Sequence, residues 1–104
     1  LLVSGGRDAH LNVIDLNSKE KIVSLPAHWF TINAMAFSPI LPYLTTASRD
    51  KTIKIWDSED FTLLKVLEGY HFNSVNSLLW MNNGEDLMTA GDDRVINFFK
   101  FYKN

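Results

Sequence analysis

The segment Thr46-Ala47-Ser48-Arg49-Asp50-Lys51-Thr52-Ile53-Lys54-Ile55-Trp56-Asp57 decides the fold of this chain. From Thr52 to Trp56 it alternates polar and apolar residues with a period of two, which is typical of a β-strand with one buried face. Its beginning, residues 46–50, recurs as Ser4-Gly5-Gly6-Arg7-Asp8 and as Thr89-Ala90-Gly91-Asp92-Asp93. A segment that returns at a fixed period indicates a repeat architecture.

The register of the repeat extends well beyond these segments. Asp50 follows Asp8 by 42 residues, and Asp93 follows Asp50 by 43. His28 precedes Asp50 by 22 residues, and His71 precedes Asp93 by the same 22. Six residues after each Asp stand Ile14, Trp56 and Phe99. We therefore predict about two and a half copies of one unit, with units at about 1–27, 28–70 and 71–104.

The complete middle unit contains four predicted strands separated by polar turn residues. We place them at residues 32–37, 43–47, 52–56 and 62–67. Four strands in a unit of this length leave no room for crossover helices, so each unit is an antiparallel meander. The predicted fold is all-β, with three strands in the first unit, four in the second and three in the third.

Composition excludes several classes of protein. The 104 residues are 46% hydrophobic, enough to fill a core, and 10 Lys and Arg against 12 Asp and Glu give a net charge of −2. This balance argues against a nucleic-acid-binding protein and against a basic membrane-surface helix. The chain has no cysteine, and its apolar runs are too short to span a membrane. It begins at Leu1 without a signal peptide or an initiator Met, so we expect a cut N-terminus and a cytoplasmic protein.

These residues resemble the WD-repeat (WD40) β-propeller family. The middle unit carries His28 where the family has the His of a Gly-His pair, although Ala27 replaces the Gly, and Trp56-Asp57 matches the name-giving dipeptide. The resemblance covers the whole chain. It implies consecutive propeller blades, which we expect to be the C-terminal blades of a larger propeller.

The resemblance also implies a structural tetrad of Trp, hydroxyl, His and Asp in each blade. In the middle unit these are Trp56, His28 and Asp50 with either Thr46 or Ser48, and we favour Thr46 because the equivalent positions also carry hydroxyls. The third unit supplies a shorter network because Phe99 replaces the Trp, and the first unit supplies two members. The remaining expected tetrad residues are Ser4, Asp8, His71, Thr89 and Asp93.

The sequence gives little support for a catalytic role of the His, Asp and Thr residues. A His, Asp and Thr set that recurs in each unit is typical of structure, since a nucleophile site seldom repeats in every blade. The three histidines lack metal-ligand spacing, and we expect neither a metal nor another cofactor. Gly5 and Gly6 precede no helix, so they favour close strand packing over phosphate binding. An enzyme using a propeller's central channel remains a hypothesis of another class, but the innermost strands offer little reactive chemistry.

The aromatic residues fall into two groups. We predict that Phe37, Phe61, Trp56, Trp80 and Phe99 are core. Trp29, Phe30, Tyr70 and Phe72 instead flank the histidines in loops that, by resemblance, open on the top face of a propeller; for Trp29 a core and a surface position are equally compatible with the sequence. Arg and aromatic residues are favoured in protein-binding hot spots. The expected partner-binding residues are Arg7, Trp29, Phe30, Arg49, Phe72, Asn73 and Asp92.

By resemblance, the predicted function is that of a non-catalytic scaffold that binds partner proteins, and neither nucleic acid nor membrane, on its top face. The alternative is a structural fragment that completes a propeller ring with another segment or with copies of itself. Three copies would supply 30 strands, between the 28 and 32 of seven- and eight-bladed rings, so we favour the fragment over self-assembly.

Overall fold

The computed structural model describes residues 2–81 and 84–101, and within these ranges the chain forms strands and turns without a helix. The all-β prediction is confirmed. None of the described segments is a helix long and apolar enough to cross a membrane. The strands are β1 (Leu2–Ser4), β2 (His10–Ile14), β3 (Lys21–Pro26), β4 (Ile32–Phe37), β5 (Tyr43–Ser48), β6 (Ile53–Asp57), β7 (Leu63–Leu67), β8 (Val75–Met81), β9 (Asp86–Gly91) and β10 (Ile96–Lys100).

The strands form three antiparallel meanders of three, four and three strands. The first sheet is β1-β2-β3, the second is β4-β5-β6-β7 and the third is β8-β9-β10. The strand count of each sheet is the one that the repeat predicts. The expected outer units also include Leu1 and residues 102–104, which lie outside the described residues.

Equivalent residues of the second and third sheets occupy equivalent register positions. Thr46 lies opposite Lys54 in the second sheet, and Thr89 lies opposite Asn97 in the third. Because strand side chains alternate between the two faces, an equivalent register places equivalent side chains on the same face of each sheet.

Two hydrophobic cores hold the three sheets together. Leu11 and Val13 of the first sheet pack with Leu44 and Trp56 of the second. On the other face of the second sheet, residues of β5 and β6 pack with residues of β8 and β9; the buried members are Ala47, Ile53, Ile55, Leu67, Val75 and Leu87. Each buried leucine or isoleucine contributes roughly 1.5–3 kcal/mol relative to an exposed one. The middle sheet is therefore covered on both faces.

The outer face of the third sheet is apolar and exposed, and the outer face of the first sheet exposes Leu2 on the same face as Ser4, Asn12 and Ser24. On the third sheet Ile96 is 58% exposed and Phe98 67%, although the equivalent Ile53 and Ile55 of the second sheet are 0% and 2% exposed. On the first sheet Leu2 is 48% exposed and takes the place of the fully buried Leu44. Both outer faces thus carry the residue types that the repeat buries between sheets.

The predicted aromatic core is partly wrong. Trp56 and Phe61 are buried, and Trp80 and Phe99 are half-buried, but Phe37 is 40% exposed. Trp80, its equivalent in the third sheet, packs with Tyr43 of the preceding sheet at a ring-centroid distance of 6.5 Å. Phe37 makes no such ring contact with another described residue, so its position at the end of β4 remains open to solvent.

The close strand packing predicted at Gly5 and Gly6 is found at Gly5 only. A Cβ atom on Gly5 would lie 3.0 Å from Cδ1 of Ile32, so the first sheet approaches β4 closely there. A Cβ atom on Gly6 would have no neighbour within 4 Å, and the packing role expected of Gly6 is wrong. Its carbonyl instead accepts hydrogen bonds from the amides of Ala9 and Ile32, at 3.0 and 3.1 Å.

Candidate functional site

Five connecting segments gather at one end of the three sheets. Successive turns of a meander alternate between its ends, which places residues 5–9, 27–31, 49–52, 68–74 and 92–95 together. We call this end the top face. Backbone hydrogen bonds join neighbouring segments, including Arg49 N to Thr31 O at 3.0 Å and Asp92 N to Ser74 O at 2.9 Å.

A chain of buried hydrogen bonds runs from the top face into the second sheet. Nδ1 of His28 lies 2.8 Å from Oδ2 of Asp50, and Nε2 lies 2.7 Å from Oγ1 of Thr46. Trp56 donates its indole N–H to the same Thr46 oxygen, at 2.9 Å. In the neutral imidazole Nδ1 donates to the carboxylate and Nε2 accepts the threonine hydroxyl proton. Each polar group of the chain is thereby satisfied, and the hydroxyl that takes part is that of Thr46.

Asp50 also fixes the segments on either side of it. Its carboxylate accepts hydrogen bonds from the amide of Trp29 at 3.1 Å and from the amide and hydroxyl of Thr52. Burial by itself would raise the pKa of Asp50, but the hydrogen bonds from His28 and Thr52 outweigh it and hold the pKa far below its ordinary value. The ionised form of Asp50 is therefore favoured, and its carboxylate holds the backbone at Trp29.

The third sheet repeats the arrangement without the indole. Nδ1 of His71 lies 3.0 Å from Oδ2 of Asp93, and Nε2 lies 2.9 Å from Oγ1 of Thr89. The Asp93 carboxylate accepts the Phe72 amide at 2.8 Å. Burial works against its ionisation, but the hydrogen bonds from Phe72 and His71 keep the pKa of Asp93 below the ordinary value. Phe99 stands at the Trp position and supplies no donor.

The first sheet does not form the network within the described residues. Asp8 accepts the backbone amide of His10 at 3.1 Å, as Asp50 accepts that of Thr52. Ser4 lies in β1 opposite Asn12, and its hydroxyl makes no hydrogen bond to another described residue.

The residues expected to bind partners all lie on the top face and are exposed. Trp29 is 88% exposed, Phe72 73% and Phe30 57%. Trp29 is thus a surface residue rather than a core residue. The polar members, also exposed, are Arg7, Arg49, Asn73 and Asp92.

Two residues at the top face form structural contacts that the sequence did not predict. Lys54 reaches out of β6 and donates its ammonium to the carbonyl of Ala27, next to His28. Asn33 donates its amide to Oγ of Ser74 at 2.7 Å and to the carbonyl of Val75 at 2.9 Å, which joins the second sheet to the third. The sequence gives no direct signal for either contact: Asn97 replaces Lys54 in the third unit, and the match of Asn33 with Asn76 indicates equivalent positions without revealing that their side chains lie 3.4 Å apart.

Comparison with known proteins identifies the same repeat. The family model described as "WD domain, G-beta repeat" matches residues 19–57 and 61–100. The chain belongs to the WD40 family. The first range contains β3 to β6 and the second contains β7 to β10, so each matched repeat comprises the last strand of one sheet and three strands of the next.

Curated relatives of this WD40 chain are longer proteins. It is 34% identical to the nuclear distribution protein PAC1-1 of Uncinocarpus reesii, with 91% of this chain and 26% of the relative covered. It is 33% identical to the nuclear distribution protein nudF of Aspergillus niger, with the same coverage. It is 31% identical to the kinesin-like protein KIF21B of Homo sapiens, of which it covers 6%. The chain therefore spans about a quarter of the first relatives and far less of the third.

Proposed function

We propose that this WD40 chain is a non-catalytic scaffold that binds partner proteins on its top face. The observation that supports this most is Trp29, which is 88% exposed although its backbone amide is held by the buried Asp50 carboxylate. A large aromatic side chain on a fixed backbone offers contact area with little loss of conformational freedom on binding. Tryptophan and arginine are the residues most enriched in binding hot spots.

The proposed binding residues divide by chemistry. Trp29, Phe30 and Phe72 offer apolar contact, and Arg7, Arg49, Asn73 and Asp92 offer hydrogen bonds and charge around them. An apolar centre with a polar rim is the usual anatomy of a protein interface. We further propose that the blade units at 1–27, 28–70 and 71–104 act as one platform and that the partners are cytoplasmic.

The geometry of the tetrads supports a role without catalysis. Thr46 is fully buried, and its hydroxyl is already engaged by His28 and by Trp56. A nucleophile must reach its substrate, which a hydroxyl in this position does not do. In the innermost strand Asn33 is used to join two sheets, which argues against an enzyme built on those strands.

The double substitution Trp29→Ala with Arg49→Ala tests the top face. The tagged full-length protein is expressed in its own cells, and co-purified partners are quantified by mass spectrometry for wild type and variant. We expect the specific partners to be lost, because the variant removes the most exposed aromatic residue and its neighbouring cation.

The matched control is Leu16→Ala, which removes an exposed apolar side chain in the turn after β2, at the opposite end of the sheets. It should retain the partners. Retention by the double variant, or an equal loss with the control, would contradict binding at the top face.

The alternative function, completion of a propeller ring with another segment or a copy of this chain, is favoured by the two exposed outer faces. Ile96 and Phe98 hold positions that the second sheet buries against its neighbour. That the chain covers 26% of relatives such as PAC1-1 supports this proposal further.

A further inference from the structure

We propose that the top face over the first two sheets binds an acidic peptide segment of a protein partner, with carboxylates on Arg49, Lys51 and Lys54 beside the indole of Trp29. This inference rests on the proposed function and deepens it, because it names the chemistry of the partner at the same face.

Exposed cations outnumber exposed acids on this part of the surface, with Arg7, Arg49 and Lys51 against Asp8 and Glu68, although the whole chain carries −2. Arg7, Arg49 and Lys51 are exposed, and none of them forms a salt bridge with another described residue. The acid in the same turn, Asp50, points inward to His28 and Thr52 and is already compensated. A carboxylate arriving from a partner therefore meets cations whose charge is unused.

A cavity lies beside Trp29, whose backbone amide bonds to Asp50, the residue between Arg49 and Lys51. It has a volume of about 300 Å³ and is lined by Pro26, Ala27, His28, Trp29 and Lys54. The Lys54 ammonium uses one hydrogen bond on the Ala27 carbonyl. An ammonium has three donors, so two remain for a carboxylate that enters the cavity. The indole of Trp29 at the wall offers an apolar surface for the stem of a Glu side chain or for its neighbour in the peptide.

The third sheet lacks this combination, which confines the site to the first two. Asn97 replaces Lys54 and donates its amide to the carbonyl of Tyr70 at 2.8 Å. Asp92 replaces Arg49 and accepts a hydrogen bond from the Asn76 amide. Asp92 would repel a carboxylate, and Asn97 carries no charge to attract one. An acidic segment should therefore bind near Trp29 rather than near Phe72.

Nucleic acid fits this surface less well than an acidic peptide. Binding to a phosphate backbone relies on many cations spread along a path, and the composition of this chain is acidic. The cations here are instead few: Lys54 lines the cavity, and Arg49 and Lys51 flank the Asp50 that holds the Trp29 amide, which matches a short segment with a few carboxylates.

The proposal is tested by selecting binders from a library of short random peptides with the folded protein as bait. We expect Asp and Glu to be enriched in the selected peptides. Affinity should fall when salt rises from 0.1 to 1 M, because the screening length shortens from about 10 Å to about 3 Å.

The charge reversal Arg49→Glu with Lys51→Glu should weaken the selected peptides by about tenfold or more, since two exposed attractions become repulsions. The control is Arg94→Glu, which lies at the position of the third sheet equivalent to Lys51 and shares its positive φ, 65° against 76°. That control should leave the affinity within about a factor of two.

Failure of this inference can be told apart from failure of the proposed function. Selected peptides without Asp and Glu enrichment that still require Trp29 would overturn the acidic partner and leave top-face binding intact. Acidic peptides that bind equally well to the charge reversal and to Trp29→Ala would overturn both. Preferential binding of a single-stranded oligonucleotide over acidic peptides, or recovery of no binder, would also overturn the acidic-peptide proposal.

Discussion

The hydroxyl of Thr46 forms hydrogen bonds with two buried nitrogen atoms, one of an imidazole and one of an indole. The hydroxyl of Thr89 contacts an imidazole nitrogen but no indole. Trp56 and His28 both depend on Thr46, at 2.9 and 2.7 Å. In the third sheet Nε2 of His71 lies 2.9 Å from Oγ1 of Thr89. The Phe99 side chain has no donor that would need the Thr89 hydroxyl. The two sheets therefore provide an internal comparison of the same bond with and without a second dependent group.

We predict that Thr46→Val lowers the free energy of unfolding more than Thr89→Val does. The first substitution leaves a buried indole N–H and an imidazole nitrogen unpaired, which costs about 1–3 kcal/mol for each such group. The second removes the Thr89 hydroxyl from His71 Nε2, which keeps the Asn97 amide at 3.3 Å as a neighbour. Urea denaturation of both variants measures the difference. Because valine nearly matches threonine in shape, equal midpoints for the two variants would show that the indole bond contributes nothing measurable.

At this scale the repeat register points to the residues of the networks in the second and third sheets, because repeat-equivalent buried polar residues satisfy one another there, whereas Ser4 and Asp8 form no such network among the described residues. The choice of Thr46 over Ser48 came from comparing the three units at the same position. Lys54 and Asn33 could not be predicted in the same way, since each is polar and near the surface, where many partners are available. The Lys54 contact recurs in the third sheet as Asn97 to the Tyr70 carbonyl, but the change of residue type from Lys to Asn hides this equivalence in the sequence.

The turn between β8 and β9 docks onto the turn between β4 and β5 of the preceding sheet. Ser38 donates its hydroxyl to the carbonyl of Gly84 at 2.8 Å. Gly84 has a φ of +85°, and a Cβ atom there would lie 2.7 Å from Cδ of Pro39. Both the backbone conformation and the space available therefore require glycine.

We predict that Gly84→Ala lowers the free energy of unfolding by about 2–4 kcal/mol, the sum of left-handed strain and a steric clash. The control is Gly69→Ala, which has the same φ of +85° but no atom within 4 Å of the added Cβ. It should cost only about 1–2 kcal/mol. Thermal or urea unfolding compares the pair, and a Gly69 variant as damaging as the Gly84 variant would mean that the contact with Pro39 is unimportant.

Strands were predicted closely because alternation and turn residues are local properties of the sequence. The predicted strand at residues 43–47 corresponds to β5, Tyr43–Ser48, and that at 32–37 to β4, Ile32–Phe37. The burial of Phe37 was predicted wrongly because it depends on a neighbouring sheet and not on the strand itself. Periodicity shows which face a residue occupies but not whether another sheet covers that position.

On the scale of the whole molecule, three sheets form one stack with two uncovered ends. The exposed residues Ile96 and Phe98 on one end and Leu2 on the other repeat residues that are buried within the stack. Large contiguous apolar patches on a protein surface mark sites of association. The repeat predicts that each sheet packs on the next. It does not determine how many sheets the complete assembly contains.

We predict that the chain associates through these outer faces and that Ile96→Lys with Phe98→Glu prevents it. Sedimentation velocity over a range of concentrations should show a rising mass for the wild type and a constant monomer mass for the variant. The control pair Leu16→Lys with Ile40→Glu changes exposed apolar residues in the turns opposite the top face and should associate like the wild type. A wild type that stays monomeric throughout would contradict ring completion by copies of this chain.

The two uncovered ends are different surfaces, since one presents β10 and the other β1. They can only meet head to tail, and head-to-tail contact either closes into a ring or continues as a filament. Whether it closes depends on the rotation between neighbouring sheets, so a ring accepts only the number of sheets whose rotations add up to a full turn. Inserting or deleting a single repeat would therefore alter the curvature required at every joint of a closed assembly, not merely at the place of the change.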